Sequence, residues 1–368
     1  MKSYILTALL LGGLLHSLNL AAATARKTTT PAKKAKKKAR PREPMVDPTA
    51  GDNVDGDDLT IRRAAVEALG MVNGSVVVAD PNSGRILTIV NQRLALASGF
   101  TPCSTIKLVT SLAALTDHVV NPDTFVRVSR LTSFNLSAAI AHSNNPYFGI
   151  LGNRLGFERV NYYAQMLGLG EKAGLNIEGE QAGAIPAEPP KYGGVGMETS
   201  FGEGFLMTPL ELTALLSSIA NGGTLYYLQY PRTANEIEQF TPQVKRKLEL
   251  APDAITDLKV GMRGAVDYGT AKRANYDPNE PILGKTGTCT DFRASHHMGW
   301  FGSFNDVGRH QLVVVVMLAG GTKAVSGPVA AGVAGVIYRN LSEQRYFAMG
   351  AAGPATPEIL TTACCSRQ

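Results

Sequence analysis

Three short groups of residues have the types and spacing to do chemistry together: Ser104 with Lys107, Ser143 with Asn145, and Lys285 through Thr288. In "GFTPCSTIKLVTSLAAL", residues 99–115, Ser104 and Lys107 stand at i and i+3 on a helix-like run, so their side chains share a face. Lysine is expensive to bury, and burial favours its neutral form. A neutral amine beside a serine hydroxyl can take its proton and make a nucleophile. Pro102 and the position of Ser104 at the head of the run suit a helix N-terminus, where the dipole favours developing negative charge. In "SNN", residues 143–145, a hydroxyl and an amide can flank a proton path and hold a substrate amide. The same residues are also ordinary loop and N-cap chemistry. In "GKTGT", residues 284–288, Lys285 supplies a second cation, Thr286 and Thr288 offer hydroxyls, and Gly287 lets a ligand approach the backbone. Each motif alone is weak evidence.

The elements that must position these groups can be read from periodicity. "TIRRAAVEAL", about 60–70, has the pattern of an amphipathic helix. "GSVVVADPNSGRILTIVN" places two β-branched runs around a turn at Asp80–Gly84 and predicts a hairpin. A buried helix follows from Ser104 to about Leu115, and the chain from about 118 to 280 reads as helix and loop. Strands return in "ILGKTGT", "HMGWFGSFN" and "HQLVVVVMLAGG", before a helix around "VAAGVAGVIYRNLSEQ". Strands at both ends with helices between predict an α+β fold: one sheet built from both chain ends, flanked by helices, with an inserted helical lobe. The cleft belongs where sheet and lobe meet.

Composition sets the remaining bounds. A hydrophobic fraction of 44% with 38 glycines and 20 prolines in 368 residues fits a globular, enzyme-sized body. Four cysteines without a C-x-x-C pair and six histidines without H-x-x-x-H spacing predict neither a disulfide scaffold nor a metal site, and no cofactor is expected. Lys2, the apolar run "YILTALLLGGLL" and the small residues of "LAAATA" predict an export signal or membrane anchor over 1–25, and hence an envelope or periplasmic location. A basic, disordered tether is expected over 26–58. It holds nine Lys and Arg residues between Arg26 and Arg42, so the +6 of the whole chain becomes about −3 from residue 45 onward. Such a tether could contact anionic lipid or wall polymer; nucleic-acid binding is not expected. The catalytic body is expected over 59–345, with the helical lobe at about 118–280, and a tail over 346–368.

S-x-x-K, then S-x-N, then K-T-G, in that order around a helical insert, is the motif set of penicillin-binding proteins and class A β-lactamases. From about residue 68 to 340 the chain resembles a penicillin-binding protein transpeptidase domain. "MLGLGEKAGLNIEGEQAGAIP", "SFGEGFLMTPLELTALLSSIANGG" and "DYGTAKRA" resemble that family's connector, helix-entry loop and approach to the third motif. The resemblance implies a mostly antiparallel, β-lactamase/transpeptidase-like fold and a D,D-transpeptidase. Ser104 would attack the carbonyl of a D-Ala-D-Ala bond in a peptidoglycan stem peptide, with Lys107 as base and Ser143 relaying a proton to the leaving amine. Asn145 would hold the substrate amide, while Lys285, Thr286, Gly287 and Thr288 bind the terminal carboxylate. The backbone N–H groups of Ser104 and Thr288 would form the oxyanion hole, and β-lactams would acylate the same serine.

The departures are specific. Asn144 stands where the motif has aspartate, at a side chain expected to point away from substrate. Little precedes the hairpin besides leader and tether, so a cell-wall synthesis partner is expected. Glu203, in "SFGEGF", would lie at the cleft edge, where a carboxylate could orient water or bind an amino group; a solvated loop glutamate is the simpler reading. "EKAGLN" is one residue too long for the water-activating loop of class A β-lactamases, and Asn145 departs from the class D pattern. Cys103 and Cys289 flank the first and third motifs, and the family geometry would bring them near one another. Two buried free thiols are the expectation, with a disulfide as the alternative. Hydrolysis of the same acyl-enzyme, by a D,D-carboxypeptidase or β-lactamase, and a non-catalytic muropeptide or β-lactam sensor remain the competing functions.

Overall fold

The computed structural model describes residues 45–175, 177–275, 281–291, 296–305, 310–321 and 325–348. The expected leader, the basic part of the tether, and the tail beyond residue 348, with Cys364 and Cys365, lie outside the described residues.

Five strands make the main sheet: β1 (Gly74–Ala79), β2 (Ile86–Val90), β3 (Ile282–Thr290), β4 (His297–Asn305) and β5 (Val313–Gly320). Their order is β2-β1-β5-β4-β3, with every neighbouring pair antiparallel. The N-terminal hairpin therefore zips onto the last strand, and the sheet is built from both chain ends. Asp80 shapes the hairpin turn by accepting from the Asn82 N–H at 2.9 Å, and Gly84 completes it at a φ of 75°. β5 is central, and "VVVVMLA" is buried on both faces.

The helices of six residues or more among the described residues, in chain order, are α1 (Leu59–Leu69), α2 (Lys107–Thr116), α3 (Leu136–Ala141), α4 (Asn145–Leu155), α5 (Phe157–Met166), α6 (Gly194–Phe201), α7 (Pro209–Ala220), α8 (Ala254–Asp267) and α9 (Gly327–Glu343). Because side chains alternate along a strand, the two sheet faces feed two cores. Val76, Val78, Val314, Val316 and Leu318 pack with Ile61 and Ala65 of α1 and Ala334, Ile337 and Tyr338 of α9. Val77, Val313, Val315, Met317 and Trp300 join the larger core with Leu108 and Leu112 of α2 and Leu212, Leu216 and Ile219 of α7. Every residue of α2 from Lys107 to Leu115 is buried, so this helix is enclosed on all faces.

Two small strand pairs interrupt the stretch read as helix and loop: Val126–Arg127 with Ser133–Phe134, and Thr224–Tyr226 with Val244–Lys247. Such short segments carry too little alternation to register as strands. The expected tether also ends sooner than residue 58. Asp52 and Asp57 hold the buried guanidinium of Arg62 at 2.9 and 3.0 Å, and Asp52 accepts from the backbone of Asn91 and Gln92. The segment from Asp52 is thus part of the folded body.

Candidate active site

The first motif begins as a 3₁₀ turn, Cys103–Ile106, that continues into α2 at Lys107. Cys103 adopts a left-handed φ of 54°, unusual for a residue with a side chain, and this bends the chain so that Ser104 heads the turn. The first N–H groups of such a turn lack partners within it. On the other side, Gly202 (φ 72°) brings the loop after α6 against Pro102; a Cβ there would stand 2.4 Å from Pro102 Cγ. That contact places the Ser200 carbonyl 3.5 Å from Ser104 Oγ.

The second motif sits between α3 and α4. Asn144 is the N-cap of α4, its Oδ1 accepting from the Tyr147 N–H at 2.8 Å, with Pro146 in the first turn. Its side chain is therefore committed to capping the helix. Ser143, immediately before, takes a φ of 53°. This strained turn presents its hydroxyl and carbonyl to Lys107.

The third motif lies on β3, at the sheet edge. Lys285 and Thr286 are buried and Thr288 is exposed. Thr286 Oγ1 meets Thr270 Oγ1 at 2.6 Å, and Thr288 Oγ1 accepts from the Gly327 N–H that begins α9, at 2.8 Å. Gly287 is where strand and nucleophile turn touch: an added Cβ would stand 3.0 Å from the Pro102 carbonyl oxygen and 3.2 Å from Cys103 Cβ.

The three motifs meet at the lysine amines. Lys107 Nζ lies 3.0 Å from Ser104 Oγ, 3.1 Å from Ser143 Oγ, 2.8 Å from the Ser143 carbonyl and 2.5 Å from Asn145 Oδ1. Lys285 Nζ lies 2.8 Å from Ser143 Oγ and 2.8 Å from the Thr286 carbonyl. Burial pushes Lys107 down to about 7. Lys285 is held well below the usual lysine range by burial first and by the charge of Lys107 second. An amine so poised can exist neutral, hydrogen-bonded to a hydroxyl, which is the requirement for activating a serine.

Glu203 stands apart from this cluster. It is half-buried beside the Gly202 contact and has no hydrogen-bond partner among the described residues. No group of metal-ligating side chains occurs among the described residues.

The structure corrects one expectation and adds one feature. Cys103 and Cys289 are joined as a disulfide, with Cα atoms 5.5 Å apart, in place of the expected free thiols. Their positions, one residue before Ser104 and one after Thr288, were the available signal. The close approach at Gly287 brings the Cys103 turn against the strand that carries Cys289. The other feature is Glu198 on α6, fully buried, with neither carboxyl oxygen hydrogen-bonded among the described residues. A single glutamate in "VGMETSF" carries no pattern that would have flagged it.

The model of the penicillin-binding protein transpeptidase domain matches residues 74–339. The chain belongs to the penicillin-binding protein transpeptidase family. It is 30% identical over 285 residues to stage V sporulation protein D of Bacillus subtilis, covering 69% of this chain and 44% of that protein. It is 24% identical over 354 residues to the peptidoglycan D,D-transpeptidase MrdA of Haemophilus influenzae, covering 74% of this chain and 54% of that one. The chain thus spans about half the length of these relatives. Among solved structures, Pseudomonas aeruginosa PBP2 in complex with WCK 5153 superposes with a TM-score of 0.67 at 22% identity, over 83% of this chain and 81% of that one. The transpeptidase domain of Burkholderia pseudomallei penicillin-binding protein 3 gives 0.67 at 20%, over 82% and 98%. The antiparallel sheet with its helical insert is therefore the fold of this family's transpeptidase domains.

Proposed function

We propose that this protein is a serine D,D-transpeptidase that crosslinks peptidoglycan stem peptides and is acylated by β-lactams at Ser104. The observation that carries the reading is the convergence of Ser104, Ser143 and Asn145 on Lys107 Nζ, with Lys285 on the far side of Ser143.

The reaction follows from that geometry. Two buried amines sharing one hydroxyl disfavour two positive charges. A substrate carboxylate seated at Lys285, Thr286 and Thr288 draws the proton to Lys285 and leaves Lys107 neutral. Ser104 Oγ then attacks the carbonyl of the D-Ala-D-Ala bond while its proton passes to Lys107 Nζ. The Ser104 and Thr288 amides receive the oxyanion, a contribution of about 3 kcal/mol per donor in comparable enzymes. Ser143 Oγ relays the proton from Lys107 to the departing D-alanine amine, which leaves the acyl chain on Ser104. An acceptor amine from a second stem attacks this ester, returns its proton along the same path and frees the serine.

The leader pattern and the Cys103–Cys289 disulfide both support an exported, envelope location, since disulfides persist in oxidising compartments. The basic segment before residue 45 would then tether the body to an anionic surface, and the role of a synthesis partner follows from the same reading.

The test incubates the purified chain with labelled penicillin, and with a D-Ala-D-Ala stem peptide plus an acceptor amine, alongside Ser104→Ala. A stable label and a crosslinked product, both absent in the variant, are expected. Release of free D-alanine without crosslinked product would make it a carboxypeptidase, and rapid drug turnover a β-lactamase. Binding that survives Ser104→Ala would make it a sensor.

A further inference from the structure

The disulfide lies in the seam that the reaction uses. Cys103 precedes Ser104 and Cys289 follows Thr288, so the cystine flanks both residues whose backbone amides would receive the oxyanion. Gly287 lies in the same seam, its missing side chain allowing the Pro102 carbonyl and Cys103 Cβ to reach β3. The nucleophile turn and β3 come from segments 186 residues apart. Their spacing is thus set entirely by tertiary contacts.

We propose that the Cys103–Cys289 cystine is a positioning element for the oxyanion hole, and that opening it slows acylation of Ser104 without unfolding the body. The proposal rests on Ser104 being the nucleophile.

Other contacts hold the nucleophile turn in place when the cystine is open. Trp300 donates its indole N–H to the Thr101 carbonyl at 3.0 Å, the Thr101 N–H meets Asp291 at 3.4 Å, and Thr105 Oγ1 donates to the Pro102 carbonyl at 2.6 Å. These bonds anchor the chain just before the turn and within it, yet none fixes the distance between Ser104 and Thr288. The cystine does. Oxyanion stabilisation is sensitive to that distance, because a donor displaced by about an ångström loses most of its effect.

The two cysteines differ in exposure. Cys103 is fully buried, whereas Cys289 is half-exposed between the exposed Thr288 and Thr290. A dithiol of the envelope would therefore attack Cys289 Sγ, expelling the Cys103 thiolate, and its second thiol would resolve the mixed disulfide. The balance is two electrons and two protons transferred, with two protein thiols and one new disulfide formed on the reductant. Ser104 undergoes no covalent change.

The experiment measures acylation of the full chain by labelled penicillin in three forms: oxidised, reduced by a phosphine, and Cys103→Ser/Cys289→Ser. Saturation kinetics separate the pre-covalent binding constant from the acylation step, and circular dichroism with a thermal melt monitors the fold. The reduced and doubly substituted forms should remain folded at the assay temperature. Their acylation step should slow by about 10-fold to 100-fold, with the binding constant changing far less. Reoxidation should restore the reduced wild type and leave the double variant slow. An unchanged acylation step, a change confined to binding, or a loss that simply tracks unfolding would each overturn the proposal. If the oxidised chain takes no label at Ser104, the nucleophile assignment itself has failed, before the cystine is put to any test.

Discussion

Lys107 and Lys285 point their amines at the same hydroxyl, Ser143 Oγ, from 3.1 and 2.8 Å. Two ammonium groups so placed would repel each other inside a buried site, so the pair favours holding one proton at most near neutrality. Lys107, at about 7, is the group whose loss of a proton would switch on Ser104. The acylation rate should therefore rise with pH through a midpoint near 7, following a single ionisation. Lys107→Met should lower it by at least about 100-fold, the usual size of a positioned base. Lys107→Arg should be no better, because guanidinium stays charged. A rate independent of pH between 5 and about 9 in the wild type would exclude Lys107 as the base.

Lys285 should act on two readouts at once. With Lys285→Ala the second amine at Ser143 Oγ is gone, and because repulsion between two amines sharing a site is mutual, Lys107 should hold its proton more tightly and the pH–rate curve should move to higher pH. The same variant loses a partner for the substrate carboxylate, worth about 2 kcal/mol for a charge-assisted hydrogen bond, or roughly 30-fold in affinity. Titrating acylation against both pH and penicillin concentration separates the effects. An unchanged pH midpoint would show that the two amines do not interact.

Glu198 makes a stability prediction with a definite sign. Burial raises its carboxyl to about 8 from an ordinary 4.5, with no hydrogen bond among the described residues to offset it. Below about 4.5 it is protonated folded and unfolded alike, and contributes no pH dependence. Between about 4.5 and 8 the unfolded chain releases the proton that the folded chain keeps, so stability falls as pH rises. Above about 8 the loss levels off. The total is on the order of 5 kcal/mol. Glu198→Gln cannot ionise, so its unfolding free energy should lack this slope and exceed that of wild type at pH 8, as read from urea titrations at pH 5 and 8. Parallel curves for the two proteins would mean that the carboxyl has a partner in the folded state.

How much of this was legible beforehand depended on whether a feature repeats along the chain or depends on a meeting across it. The five main strands and the Ser104 helix announce themselves through β-branched runs, turn residues and apolar periodicity. The sheet built from both ends followed from element order alone. Ser104 and Lys107 are three residues apart, so local helix geometry already joined them; Ser143 and Lys285 were placed only by likeness to a family. The disulfide is not legible because pairing requires a distance, and the 5.5 Å between the Cα atoms of residues 103 and 289 comes from a meeting of segments 186 residues apart. Asp52 and Asp57 were assigned to a tether because their Arg62 partner lies across a turn, beyond the reach of any local pattern.

Gly287 should be intolerant of even one methyl group. The Cβ of Gly287→Ala would meet the Pro102 carbonyl oxygen at 3.0 Å, Cys103 Cβ at 3.2 Å and Trp300 Cβ at 3.2 Å, so relief requires β3 or the nucleophile turn to move. The cystine and the paired strands resist that movement. Overpacking of this kind costs about 1–3 kcal/mol. The shift should also fall on acylation, because it separates the amides of Ser104 and Thr288. Gly74→Ala is the informative comparison: its Cβ would press on the Leu318 side chain and the Met317 carbonyl oxygen at 2.6 Å, on β1, three strands away from β3. Both variants should melt earlier than wild type, but only Gly287→Ala should slow acylation by more than about tenfold at a temperature where it stays folded. Equal slowing in the two would trace the effect to general loosening of the sheet, and the special role of the seam between β3 and the nucleophile turn would be lost.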